Sequence, residues 1–161
     1  EQVQAVIIAL KTRTARKEDA VRDSMAAFQW LREKGAQVLY FKYCSTFDCT
    51  REGNIGPVAD RLMEMEGSPF TIACPALPVN GRVVKNGELL VHGVPLHQTH
   101  MKDHPLTPMW DSRIQALLEP QSRYPVFELS IKQMEQQPED VRRLVDEWRA
   151  AHPHFYLVPD L

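Results

Sequence analysis

The sequence lacks features that nucleic-acid-binding, membrane-spanning and disulfide-stabilised proteins require. Its net charge is −2, from 19 Lys and Arg against 21 Asp and Glu, whereas a nucleic-acid-binding domain needs a basic face. No apolar run approaches the roughly 20 residues that span a membrane, and no signal-peptide pattern opens the chain. Three cysteines without framework spacing indicate a reducing compartment. We therefore expect a cytoplasmic protein without nucleic-acid or membrane partners.

Two common phosphate-binding motifs are also absent. Neither Gly-x-x-x-x-Gly-Lys-Ser/Thr nor Gly-x-Gly-x-x-Gly occurs. The nearest segment is Gly53-Asn54-Ile55-Gly56, at the predicted start of a helix, where free backbone N–H groups favour an anion. These four residues are therefore a candidate phosphate or anion site. The alternative is a tight turn with close helix–strand packing.

Apolar runs and helical periodicity alternate along the 161 residues, enough for one domain with a hydrophobic core. The alternation predicts an α/β fold, a mostly parallel sheet with helices on both faces and an inserted β-hairpin. The hairpin turns at Asn86-Gly87, a favoured type I′ pair, and a loop follows it at 92–109. Both ends of the chain interrupt a predicted strand, so we expect a piece truncated at both ends. The predicted sheet strands are 3–10, 37–43, 69–74, 124–129 and 155–158, the hairpin strands are 82–85 and 88–91, and the predicted helices are 17–34, 54–66, 111–118 and one opening at Pro138.

Each of the first three predicted sheet strands ends in a polar loop. Because the carboxyl ends of parallel strands meet at one edge, these loops predict one concave site. Arginine suits a carboxylate, and carboxylate, amide and hydroxyl side chains suit the hydroxyl groups of a ligand. Taken singly, each residue also fits a solvated loop. The candidate substrate-binding residues are Lys11, Arg13, Lys42, Ser45, Thr46, Asp48, Thr50, Asn54, Asn80 and Arg82.

The sequence allows three roles for Asp48: a general base, an orienting hydrogen-bond acceptor or a loop cap. Cys44 and Cys49 flank the same loop, but no histidine lies near them in sequence to activate a thiol, so packed side chains are favoured. Four histidines crowd the loop at 92–104, with a spacing that matches no closed zinc site and no cysteine pair nearby. We expect no metal site.

The segment Phe41–Val58 resembles the signature of the four-carbon acid sugar kinase family. The match is closest to its 3-oxo-tetronate kinase branch, where Lys-Tyr-Cys-Ser-Thr-Phe-Asp-Ser-Thr precedes Gly-Asn-Ile-Gly-Pro-Val. Three further segments resemble other blocks of the family in the same order: Lys11–Arg13, Cys74–Arg82 and His104–Ser112. Cys49 departs from the pattern, which has Ser there, and the family's opening Asp-Asp-Phe-Thr-Gly run does not occur in this chain.

The resemblance implies that residues 1–161 form the sugar-acid-binding N-terminal domain of a two-domain kinase. ATP and Mg²⁺ would be bound mainly by a C-terminal nucleotide-binding domain that this chain does not contain, so the fragment alone is expected to be inactive. The implied reaction phosphorylates the terminal 4-hydroxyl of a four-carbon sugar acid such as 3-oxo-tetronate. Arg13 and Lys42 would bind its carboxylate. Hydroxyl and keto groups would be held by Ser45, Thr46, Asp48, Asn54 and Asn80.

Within this reading the catalytic base is Asp48 or an aspartate of the family's opening segment. A non-catalytic sugar-acid sensor is the main alternative. An aldolase or hydrolase is weaker, because it needs a catalytic Lys or a Ser–His pair that the sequence does not place. The oligomeric state is not fixed by the sequence and leaves a homo-oligomer open.

Overall fold

A three-stranded parallel sheet forms the centre of the protein, whose computed structural model describes residues 3–161. The strands are β1 (Phe70–Ile72), β5 (Val126–Leu129) and β6 (Phe155–Pro159). Strand β6 lies between the other two and pairs Phe155 with Phe70 and Tyr156 with Val126. Its residues Phe155–Val158 are all buried, as expected for a central strand with side chains packed on both faces.

Helices cover both faces of this sheet, as the sequence predicts. Neighbouring side chains on a strand point to opposite faces. On β6, the Tyr156 hydroxyl donates to Asp60 of one helix at 2.5 Å. Phe155 points the other way, with its ring centroid 6.3 Å from that of Trp148 in another helix. The helices are α1 (Lys17–Glu33), α2 (Ile55–Glu66), α3 (Ile114–Leu118), α4 (Ile131–Met134) and α5 (Pro138–Ala151). None of the helices within residues 3–161 is long and apolar enough to cross a membrane.

An antiparallel sheet follows β1 along the chain, formed by β2 (Arg82–Lys85), β3 (Glu88–Val91) and β4 (Val94–Pro95). The predicted hairpin is confirmed, and Asn86 and Gly87 have φ values of 51° and 77°, the signs that a type I′ turn requires. Strand β4 corrects the prediction of a loop over the whole of 92–109. Reciprocal backbone hydrogen bonds of 2.7 and 2.8 Å between Val84 and Leu161 attach this sheet to the end of β6.

Two predicted strands do not form. Within residues 3–161, the segments 3–10 and 37–43 take part in no strand pairing. Most of the apolar side chains in 3–10 are exposed, with Ile7 at 92%, and in 37–43 Val38 is 86% exposed while Phe41 and Tyr43 are half-buried. The apolar pattern predicts burial, but a strand also needs a neighbour for its N–H and C=O groups, and the described chain supplies none to either segment.

Candidate functional site

A cavity of about 340 Å³ opens between the segment before α1 and the loop before α2. Its volume falls low in the range of about 300–1,000 Å³ found for small-molecule sites, which suits a small ligand. Polar side chains come from both segments, and aromatic rings supply part of the wall. The lining residues are Leu10, Thr12, Arg13, Phe41, Lys42, Tyr43, Cys44, Ser45, Asp48, Asn54 and Ile55.

An ion pair between Arg13 and Asp48 joins the two sides of the cavity. Arg13 Nη1 donates to Asp48 Oδ2 at 2.9 Å, although the residues lie 35 positions apart. The Asp48 side chain is 4% exposed and that of Arg13 is 54% exposed. A guanidinium carries five N–H donors in one plane, so this bond leaves donors free for a ligand carboxylate. The predicted convergence of the first two polar loops is therefore present.

The second oxygen of Asp48 is also occupied. Thr46 Oγ1 donates to Asp48 Oδ1, and Cys44 Sγ lies 3.0 Å from Thr46 Oγ1. Thr46 and Asp48 are both buried. The carboxylate of Asp48 is therefore held in place from both sides, and it holds the guanidinium of Arg13 in turn. This arrangement favours an orienting role for Asp48 among its three sequence interpretations.

Asn54 fixes the backbone on either side of Arg13. Its Nδ2 donates to the Thr12 carbonyl at 2.6 Å and to the Ala15 carbonyl at 2.9 Å. An amide nitrogen has two hydrogens, so both are used within the protein. Asn54 Oδ1 is the atom left to accept a bond from a ligand hydroxyl. The side chain thus ties the turn that carries Arg13 to the start of α2.

We expect Asn54→Asp to lower the free energy of unfolding of the full-length protein by about 1–3 kcal/mol, the cost of leaving partly buried hydrogen-bond partners unpaired. Aspartate has the same shape but no N–H, and it places an oxygen against the carbonyls of Thr12 and Ala15. Urea unfolding measures the change. Asn80→Asp, at an exposed asparagine, is the control and should stay within about 0.5 kcal/mol of the parent. Equal stability of the two variants would contradict a stabilising role for the bonds from Asn54 to the carbonyls of Thr12 and Ala15.

Gly53 and Gly56 lie in close contact with Gln121. A Cβ on Gly56 would come within 2.6 Å of the Gln121 Cβ, and one on Gly53 within 2.7 Å of the Cys49 Cβ. The Gly56 N–H donates to Gln121 Oε1 at 3.3 Å. These contacts favour the close-packing alternative for Gly53-Asn54-Ile55-Gly56. An anion at this helix start stays a prediction.

The remaining predicted residues separate into two groups. Lys42 and Ser45 line the cavity, and the Lys42 ammonium also donates to the Tyr43 carbonyl. The others do not line it; these are Lys11, Thr50, Asn80 and Arg82. Arg82 Nη1 instead donates to the Asn80 carbonyl. The third polar loop therefore does not join the cavity formed by the first two, and a substrate role for these four residues stays a prediction.

Several wall residues were not predicted as site residues: Leu10, Thr12, Phe41, Tyr43 and Cys44. The signal for the last three was their position at the end of an apolar run that enters a polar loop. Burial raises the pKa of the Tyr43 hydroxyl. It also raises the pKa of the Cys49 thiol to about 12, which keeps that thiol protonated and unreactive near neutral pH.

Histidines of the loop at 92–104 form hydrogen bonds with residues that follow the loop in sequence. His97 Nδ1 lies 2.7 Å from the hydroxyl of Ser112, and His104 Nδ1 accepts from the backbone N–H of Thr107 at 3.0 Å. Among residues 3–161, no group of three His, Cys, Asp or Glu side chains has a geometry that could hold a metal ion.

The fold is that of an α/β domain with a cavity in the size range of small-molecule sites, and the comparisons with known proteins give the family. The model of the family described as "Sugar-binding N-terminal domain" matches residues 1–161. The chain belongs to this family. A relative from Brucella melitensis, named 3-oxo-tetronate kinase, is 54% identical over 119 residues, which is 74% of this chain and 27% of the relative.

Solved structures of other proteins share the fold of this chain. A crystal structure of a Haemophilus influenzae protein superposes with a TM-score of 0.92 at 40% identity, covering 100% of this chain and 39% of that protein. A Bordetella bronchiseptica protein, described as a domain-swapped dimer with bound citrate, has a TM-score of 0.67 at 29% identity, covering 93% and 34%. The chain therefore spans between about a quarter and two fifths of the length of these relatives.

Proposed function

We propose that this chain is the sugar-acid-binding domain of an ATP-dependent kinase that phosphorylates the terminal hydroxyl of a four-carbon sugar acid such as 3-oxo-tetronate. The observation that carries the proposal is the Arg13–Asp48 ion pair at the wall of a small polar cavity. Membership of the sugar-binding family and the name of the Brucella relative support the substrate class and the reaction. The citrate in the Bordetella structure is a hydroxy acid of related chemistry.

In this proposal the carboxylate of the substrate binds to the free donors of Arg13 and to the ammonium of Lys42. Arginine presents its donors as a planar fork that matches a carboxylate. Lys42 adds a second positive charge from the opposite loop. The Ser45 hydroxyl and Asn54 Oδ1 are available to the hydroxyl and keto groups of the acid. Asp48 orients Arg13 rather than reacting itself, because both of its oxygens are engaged by protein groups.

The described residues do not fit ATP or Mg²⁺. They contain no phosphate-binding glycine loop of either common type and no acidic cluster suited to a metal, and the Gly56 N–H is bonded to Gln121. We therefore assign both cofactors to a part of the protein outside residues 3–161. The contribution of this chain is to hold the acid in one orientation. Kinases accelerate phosphoryl transfer mainly by positioning the reactants and by stabilising charge.

The test is an assay of ADP release by the full-length protein with ATP, Mg²⁺ and a matched pair of ligands. One ligand is a four-carbon sugar acid, the 3-oxo-tetronate or a tetronate. The other is the corresponding four-carbon sugar alcohol, which has hydroxyl groups but no carboxylate. We expect turnover of the acid and a kcat/KM at least about 100-fold lower for the alcohol, because the alcohol leaves Arg13 and Lys42 without a charged partner. Equal turnover of the two would contradict the proposal, and binding of the acid without ADP release would favour a sensor.

A further inference from the structure

Phe47 lies between the buried residue Thr46 and the cavity residue Asp48, in a backbone conformation that phenylalanine disfavours. Its φ is +49°, in the left-handed region that glycine adopts without strain and bulky residues rarely adopt. Its N–H donates to the Cys44 carbonyl at 2.9 Å and closes a tight turn. Glycine would adopt this φ without steric strain, so the presence of phenylalanine needs a reason in its side chain.

The ring of Phe47 is fully buried. It packs edge-to-face against Tyr43, with centroids 5.3 Å apart and an interplanar angle of 82°. Tyr43 packs in the same manner against Phe41 at 5.9 Å. Such aromatic pairs have defined geometry. Because Phe41 and Tyr43 both line the cavity, the ring anchors the turn to the cavity wall.

A strained backbone persists only where the surrounding structure over-determines it, and such residues are concentrated at functional sites. Here the residues on either side of the strained position point their polar groups at each other and, through Asp48, at Arg13. Both flanking side chains are buried. A shift of the turn would therefore move the Asp48 carboxylate and release Arg13.

We infer that Phe47 is a positioning residue for sugar-acid binding. Its buried ring holds the left-handed turn that aims Asp48 at Arg13, and through this pair it sets the affinity for the substrate carboxylate. The inference rests on the proposed function, since it requires Arg13 to bind the acid. Phe47 itself does not line the cavity.

The test is Phe47→Leu in the full-length protein, alone and combined with Arg13→Ala. We expect the single variant to lower kcat/KM for the sugar acid about tenfold through a higher KM, since a small displacement of a binding group has an effect of this order. In the Arg13→Ala background the same change should lower kcat/KM less than about twofold, because residues that act through one another are not additive. A purely structural residue would lower it equally in both backgrounds.

Phe155→Leu is the matched control, because Phe155 is also fully buried but lies in β6. It should destabilise the fold and leave KM unchanged. If Phe47→Leu does not fold, Phe47→Met carries the same expectations with a more flexible side chain. Equal effects of Phe47→Leu in both backgrounds, or a KM rise in Phe155→Leu of the same size, would overturn the inference. If instead Arg13→Ala leaves kcat/KM unchanged, the carboxylate role of Arg13 fails, which is a separate result.

Discussion

Arg13→Ala is expected to lower kcat/KM for the four-carbon acid by about 10- to 100-fold in the full-length protein, chiefly by raising KM. The guanidinium is the group that we propose binds the carboxylate, and hydrogen bonds to charged groups contribute about 1.5–3 kcal/mol. The loss concerns binding in the ground state as well as in the transition state, so kcat should change little. Steady-state kinetics with varied acid at saturating ATP measures the effect.

Arg16→Ala is the control for this prediction, because Arg16 is an exposed arginine of the same segment that does not line the cavity. Arg16→Ala should leave the KM for the acid within about twofold of the parent value, as expected for a surface substitution. The carboxylate role would be refuted by an Arg13→Ala variant with the KM of the parent. It would also be refuted if both arginine variants raised KM equally. The cause would then be the loss of one positive charge from the segment rather than the loss of a specific contact between Arg13 and the carboxylate.

Asp48→Asn has the second large expected effect, and it separates the orienting role from the catalytic one. The amide keeps the shape of the carboxylate and an oxygen for Thr46, but it turns an N–H donor toward Arg13 Nη1. Removing one member of a buried charge pair costs about 2–5 kcal/mol, and Arg13 is partly exposed, so we expect a loss of about 30-fold in kcat/KM. For an orienting residue this loss appears mostly in KM.

A general base behaves differently in the same measurement. Loss of a base lowers kcat by about 10²- to 10⁴-fold with little change in KM, and it removes one limb of the pH–rate profile. Asp103→Asn, at an exposed aspartate outside the cavity, should match the parent in both parameters. A fall in kcat alone for Asp48→Asn would assign Asp48 to the chemical step and contradict the orienting role.

Much of the helical structure could be predicted because its signals are local. Gly67 ends α2 in the left-handed conformation with φ 62°, as a glycine after a run of helical periodicity predicts. Pro138 is the first residue of α5, where a missing N–H costs nothing. The Asn86-Gly87 turn has the backbone signs that its sequence predicts. In each case the information lies within a few residues of the feature.

The two strand predictions that were wrong concern segments whose pairing depends on other parts of the chain. Periodicity at 3–10 and 37–43 indicates apolar segments that tend to be buried, but pairing depends on a neighbour at the correct distance and register. Within residues 3–161 that neighbour is absent. The sequence of a segment alone does not state whether such a partner exists.

The candidate site was predicted in outline and missed in its details for the same reason. The polar loops after 3–10 and 37–43 were expected to converge, and the Arg13–Asp48 bond joins them. Asn80 was expected in the same site, but its loop leads directly into β2 of the separate antiparallel sheet. The sequence also could not show that Asn54 donates both amide hydrogens to the carbonyls of residues 12 and 15. These bonds depend on how two segments that are distant in sequence pack together.

The most direct test of the central claim is a crystal structure of the full-length protein with a bound four-carbon sugar acid. The account predicts that the carboxylate lies in the cavity between the two loops, within about 3 Å of the Arg13 guanidinium, while the Arg13–Asp48 bond stays intact. A sugar acid bound elsewhere in the protein, with Arg13 in contact with Asp48 and solvent only, would contradict it.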